Sequence, residues 1–206
     1  MLLQAEHLSI NFGSRQLLSD VNFYLNEGDK VGIIGINGTG KSTFLKVLAG
    51  VLEADEGKIV RTPNVQISYL SQNPLMDDNA TILEQIFLHF PADFRELNEY
   101  EAKSKLPRLG FTDFSQKVGT LSGGQRKRVA LVAALVHPAD VLILDEPTNH
   151  LDSEMVAWLE DWLRAFRGGL IMVTHDRYFL ERGVNHITEL SRSKIYHYEA
   201  NYSKYL

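Results

Sequence analysis

The stretch KVGIIGINGTGKSTFLKVLAG, residues 30–50, restricts the fold more than any other part of the chain. KVGIIG is a short, almost unbroken apolar run, which is how a strand buried on both faces reads. Helical spacing takes over at Thr43, with Phe44, Leu45, Val47 and Leu48, until Gly50 supplies a stop. A strand that passes through a glycine-rich loop straight into a helix opens a parallel α/β unit. Such a sheet needs a core on each side. With 44% hydrophobic residues among 206, the chain has enough for one α/β domain.

The remaining segments follow the same alternation. VNFYLNEGDK sets Val21, Phe23 and Leu25 against Asn22, Tyr24 and Asn26, a half-buried strand closing on a Glu-Gly-Asp turn. GKIVR and VQISYLSQ read as a second antiparallel pair. Thr81 and Glu84 have capping-box spacing, so a helix begins at Ile82. Glu96 to Leu106 reads as another helix, which Pro107 ends or restarts. VLILD and LIMVT are buried strands, SEMVAWLEDWLRAF is an amphipathic helix, and HITEL with KIYHY forms a closing hairpin. The prediction is a mostly parallel central sheet with an N-terminal antiparallel β-subdomain. Residues 1–206 make one domain: a core from about 1–72 and 138–206, and an inserted helical subdomain from about 73–137.

Composition removes several classes of function. The absence of cysteine excludes disulfides and thiolate metal sites and points to a reducing compartment. A net charge of −5 gives no whole-chain nucleic-acid signature, so any RNA contact must come from a local patch. No apolar run approaches the roughly 18 residues of a spanning helix. MLLQAEHL lacks the basic start and long apolar stretch of a signal peptide. A soluble, cytoplasmic protein without membrane insertion is expected.

The loop Gly35-Ile36-Asn37-Gly38-Thr39-Gly40-Lys41-Ser42 matches the phosphate-loop pattern in its proper strand-to-helix setting. Its glycines permit positive φ and let backbone N–H groups come close to phosphates. Lys41 would bridge the β- and γ-phosphates, the Ser42 hydroxyl would ligate Mg²⁺, and Thr43 at the helix start can hold the α-phosphate. A phosphate loop needs an acidic partner on a neighbouring strand, and VLILDEP supplies it. Asp145 would hold Mg²⁺, directly or through water. Glu146, at the strand end, is placed to polarise the attacking water. Gln72 can touch Mg²⁺ or that water, His175 could donate to the γ-phosphate, and Phe12 could stack on adenine. Singly, these last three carry little weight.

A second phosphate grip stands well downstream. In LSGGQRKRVALVAAL, residues 121–135, Ser122, Gly123 and Gly124 precede a positively charged helix start. Phosphate loop, Gln72, LSGGQ, VLILDEP, NHLD and His175 come in the order of the ABC ATPase domain, which the chain resembles over essentially its whole length. The resemblance implies ATP and Mg²⁺ as cofactors, hydrolysis of ATP, and a second ATPase domain as partner, either in the same full-length chain or as a homodimer. It also implies what the second grip does. Two such domains pair head to tail, so Ser122, Gly123 and Gly124 would serve a nucleotide bound to the partner, and Asp152 would cross the same interface.

Within that family, Pro147-Thr148-Asn149-His150-Leu151-Asp152 and THDRYFL (174–180) resemble the ABC-F group, soluble tandem ATPases that act on ribosomes. That likeness implies ribosome, rRNA or tRNA contact, in translation control or antibiotic protection. The alternative is the ATPase subunit of a membrane transporter. YEANYSKYL resembles the usual ABC-F ending, although Ala200 stands where a glycine is common. SRSK (191–194) also lacks a glycine, which leaves its turn type open. Two departures are larger. The chain has room for one ATPase domain, and only 48 residues separate Gln72 from Leu121, so a helical arm found in many relatives is short or missing. Starting at Met1 directly before the first strand, the chain most resembles the first half of a longer protein.

Overall fold

The computed structural model describes residues 1–199 and 202–206; Ala200 lies outside them. Strands β1 (Leu3–Phe12) and β2 (Arg15–Leu25) form a long hairpin, and β3 (Lys30–Ile34) feeds α1 (Lys41–Leu48). Next come β4 (Glu56–Arg61), β5 (Ile67–Leu70), α2 (Ile82–Ile86), α3 (Ala92–Lys105) and α4 (Gly123–Val136). The chain continues with β6 (Val141–Asp145), α5 (Ser153–Ala165), β7 (Gly169–Val173), α6 (Arg177–Gly183), β8 (His186–Ser191) and β9 (Lys194–Tyr198), before a last helical turn at Tyr202–Tyr205.

The strands make two sheets. One is antiparallel, in the order β2-β1-β4; the other runs β5-β6-β7-β3-β8-β9 and is parallel except for β9. Side chains on β6 and β7 alternate between two cores, as the two-residue period of a strand requires. Val141, Ile143, Ile171 and Val173 face α1 and the antiparallel sheet, in a cluster with Phe23, Phe44 and Leu45. Leu142, Leu144, Leu170 and Met172 face the helices, in a cluster with Ile82, Leu106, Leu131 and Leu159. The large sheet is therefore covered on both faces, which accounts for its unbroken apolar strands.

Three local expectations need correction. GKIVR and VQISYLSQ do not pair with each other. β4 joins the antiparallel sheet, with Gln4 opposite Val60, while β5 lies parallel to β6, with Ser68 opposite Leu142. Alternation identified both segments as strands, but it carries no information about which edge each will find. The phosphate-loop helix begins at Lys41 rather than Thr43, because the Gly40 carbonyl already accepts from the Phe44 N–H at 2.8 Å. The helix expected from Glu96 begins at Ala92, preceded by Pro91, whose fixed φ suits a helix entrance. The Thr81 hydroxyl does cap α2, accepting from the Glu84 N–H at 3.1 Å. No helix among the described residues is long and apolar enough to cross a membrane.

Candidate functional site

The site sits where the central strands end, the usual place for ligands in parallel α/β sheets. β3 delivers the glycine-rich loop, β6 delivers Asp145 and Glu146, β7 delivers His175, and β5 leads to Gln72. A cavity of about 270 Å³ is lined by Asn37, Gly38, Gly40, Lys41, Ser42, Thr43, Gln72, Asp145, Glu146, Val173 and His175. Gly35 and Thr39 line a neighbouring cavity of about 740 Å³ that shares Lys41 and His175. Residues scattered from 35 to 175 along the chain thus meet within one pocket and its neighbour.

Local backbone explains the loop. Gly40 caps α1 in a left-handed conformation, φ 92°, which a residue with a side chain rarely adopts. Leu17 of β2 closes the space on that side: a Cβ at Gly40 would lie 3.2 Å from it. The Lys41 ammonium donates to the Gly35 carbonyl and folds back over the loop. Burial lowers its pKa, while the negative charges of Glu146 and Asp145 act in the opposite sense.

Asp145 is 2% exposed, and both its carboxylate oxygens are buried without a hydrogen-bond partner. Burial raises its pKa; the nearby Ser42 hydroxyl, which stays short of hydrogen-bond geometry with the carboxylate, and the positive charges of Lys46, Lys41 and His175 oppose that rise. The Ser42 hydroxyl lies 3.5 Å from the Gln72 amide oxygen. A buried carboxylate, a hydroxyl and an amide oxygen form a hard, all-oxygen donor set with room for phosphate oxygens and water. Mg²⁺ favours such a set. Tyr69 on β5 lies outside the lining of the central cavity; burial first, then the charge of Asp145, push its phenol up to about 12.

Glu146 follows directly with φ 53°, a strained setting for a residue with a side chain. Its Oε1 lies 3.1 Å from His175 Nε2, and its Oε2 accepts from the His175 backbone N–H at 3.3 Å. Burial raises the Glu146 pKa, moderated first by the charge and N–H of His175.

The other predicted residues lie off the central cavity. Phe12 is 75% exposed at the tip of the β1–β2 hairpin. Ser122 is the N-cap of α4, in a reciprocal capping box with Gln125, and Gly123 starts that helix. Gly124 packs against the ring of His150, where an added Cβ would lie 3.2 Å from Nδ1. Asp152 caps α5, accepting from the Met155 N–H at 2.9 Å. The segment LSGGQ, residues 121–125 and hereafter the signature segment, and the loop after Glu146 therefore touch within one chain, a contact the sequence does not announce. The turn left open at SRSK has Arg192 and Ser193 both at positive φ, 52° and 63°, the pattern of a tight two-residue hairpin turn. It is held by Ser193 Oγ donating to the Gln16 carbonyl at 2.8 Å and the Ser19 N–H donating to the Ser193 carbonyl at 2.8 Å.

Residues 18–149 match the profile of the ABC transporter family. The chain is 40% identical to the ABC transporter ATP-binding protein YfmR of Bacillus subtilis, an alignment covering 100% of this chain and 38% of that protein. It is 36% identical to the energy-dependent translational throttle protein EttA of Haemophilus influenzae, covering 93% of this chain and 41% of EttA. The chain thus spans well under half of these relatives. The YfmR alignment runs over 242 positions against 206 residues here, so that relative carries residues with no counterpart in this chain. Among solved structures, the ATP-binding subunit of an ABC transporter superposes with a TM-score of 0.84 at 24% identity, covering 97% of this chain and 90% of that one. A bacterial ABC transporter cassette solved as a dimer superposes at 0.79 and 23% identity, covering 96% and 98%.

Proposed function

The chain belongs to the ABC transporter family and is an ATPase domain of it, and on that premise we propose that it is one cassette of a tandem, ABC-F type protein. In this reading ATP draws the cassette against a second one, in the cytoplasm, and that closure is coupled to the ribosome. The observation that carries it is the likeness, over nearly the whole chain, to a translational throttle protein. NHLD and THDRYFL support the same reading.

In this reading each residue of the site has a role. The loop N–H groups and the Lys41 ammonium would hold the β- and γ-phosphates, and Thr43 the α-phosphate. Ser42, Asp145 and Gln72 would hold Mg²⁺, which when bound neutralises charge on the transferring phosphoryl group. Glu146 would accept a proton from water as the water oxygen bonds to the γ-phosphorus. The bond from that phosphorus to the β-phosphate oxygen breaks, leaving ADP and inorganic phosphate. His175, held by Glu146, would donate to a γ-phosphate oxygen. Phe12 would stack on the adenine. Ser122, Gly123 and Gly124 of one cassette would supply the remaining donors to the nucleotide of the other, with Asp152 at the same seam. Donors that arrive only on pairing make hydrolysis conditional on assembly.

The test is co-sedimentation of the full-length Glu146→Gln protein with ribosomes, with ATP and with ADP. Retention that requires ATP supports the reading. Absence from ribosomes together with a co-purifying membrane subunit would replace it with a transporter ATPase.

A further inference from the structure

We propose that Arg15 is a nucleotide-binding residue, a second cation for the phosphate chain that acts from the antiparallel sheet on the side of the loop facing β2. This rests on the assignment of the phosphate loop as the ATP site.

Three observations converge on it. First, the Arg15 guanidinium lies against the loop, since a Cβ at Gly38 would come within 3.5 Å of Nη1 and 3.8 Å of Nη2. Second, its neighbour on the strand packs on the same loop. Arg15 and Leu17 stand on β2 beside a register shift against β1, with Arg15 at Gly38 and Leu17 at Gly40. The β2 start is itself tied down, because the Gln16 carbonyl accepts from Ser193 Oγ and the Ser19 N–H donates to the Ser193 carbonyl. Third, Arg15 is exposed, and among the described residues its guanidinium makes no hydrogen bond or ion pair. An unpaired guanidinium resting on an anion-binding loop is a donor without an acceptor. Arginine is the side chain best suited to phosphate oxygens.

The hairpin also indicates which part of the ligand is met. Phe12 and Arg15 are cross-strand partners on either side of the Gly13–Ser14 turn. Between a base stacked on Phe12 and phosphates seated in the loop beside Gly38, the ligand segment nearest Arg15 runs from the ribose through the α- to the β-phosphate. ADP and ATP share that segment. The guanidinium would therefore bind both alike, and would join the antiparallel sheet to the loop whenever either is bound.

The experiment titrates the isolated chain with ADP and with ATP at low and high salt, using Arg15→Ala, Arg15→Gln and Arg15→Lys. Loss of a charge-assisted contact predicts a fall of about tenfold in affinity for both nucleotides. Arg15→Lys should recover part of the loss, and the difference from wild type should shrink as salt rises. Unchanged affinity at low salt in both neutral variants would overturn the proposal. So would a loss confined to ATP, which would put the guanidinium at the γ-phosphate instead. Lys41→Ala, titrated alongside, separates the two levels of the argument. If it keeps full ATP affinity, the loop assignment itself fails; if it loses affinity while Arg15→Ala does not, only the role of Arg15 falls.

Discussion

Glu146 and His175 meet across the ends of β6 and β7, with Oε1 3.1 Å from Nε2 and Oε2 accepting the His175 backbone N–H at 3.3 Å. The histidine ring is 67% exposed while the carboxylate is 6% exposed, so the pair spans the boundary between cavity wall and solvent. Both carboxylate oxygens are engaged. The side chain is held in one orientation before any ligand arrives.

Glu146→Gln should therefore retain the fold and bind ATP within about twofold of wild type, while hydrolysis falls on the order of 10²–10³. Nucleotide titration beside phosphate release checks this, and near-wild-type turnover would remove Glu146 from its role. In the unsubstituted protein, burial raises the Glu146 pKa. A protonated carboxyl cannot accept the proton of water. The acid limb of the pH–rate profile should accordingly lie above the ordinary carboxylate value of about 4.3.

Asp145→Asn should separate stability from function. A buried carboxylate with two unpartnered oxygens is costly when ionised. Its raised pKa means that its contribution favours the fold below the ordinary carboxylate range and is lost as pH rises through the raised value. At neutral pH the amide should stabilise the ligand-free protein by about 1–3 kcal/mol and weaken its dependence on pH in that window. Urea unfolding at about pH 3.5 and at pH 8 brackets that window and measures the stability term. Nucleotide binding with and without Mg²⁺ should show that the amide has lost the metal's contribution.

Lys41→Ala removes the ammonium that lies over the loop. ATP affinity should fall at least tenfold, more than ADP affinity, because the charge is assigned to the β- and γ-phosphates. Equal affinity in titration calorimetry would mean that the loop is not the nucleotide site.

Ser122→Arg tests the signature segment. Ser122 lies outside the lining of the central cavity, so ATP affinity of the isolated chain should be unchanged. The substitution also removes the capping box of α4, with a loss of stability of about 1 kcal/mol. Pairing with a second cassette in the presence of ATP should be blocked, read by molecular sizing in the Glu146→Gln background. A large loss of monomer affinity would show that the signature serves its own nucleotide.

The sequence by itself determined the elements and the residue types placed at their ends. Apolar runs with a period of two or close to four are written locally, so β3, α1, β6 and β7 were legible to within a few residues. The residue types that phosphate chemistry needs were legible too, in GINGTGKS and VLILDEP. Partners were decided only by the tertiary structure. β4 and β5 look alike as isolated strands, yet they join different sheets, because a strand's neighbour depends on which edge the rest of the fold leaves open. The glycine-free turn at Arg192–Ser193 could not be typed from SRSK, since contacts from Gln16 and Ser19 hold its left-handed backbone. Arg15 gave no local signal, for nothing around it in the chain marks it as near Gly38. That proximity arises from the register of β2 against the loop, a relation between residues distant in sequence. The unpaired carboxylate of Asp145 is likewise a property of its burial, and burial is settled by the whole fold.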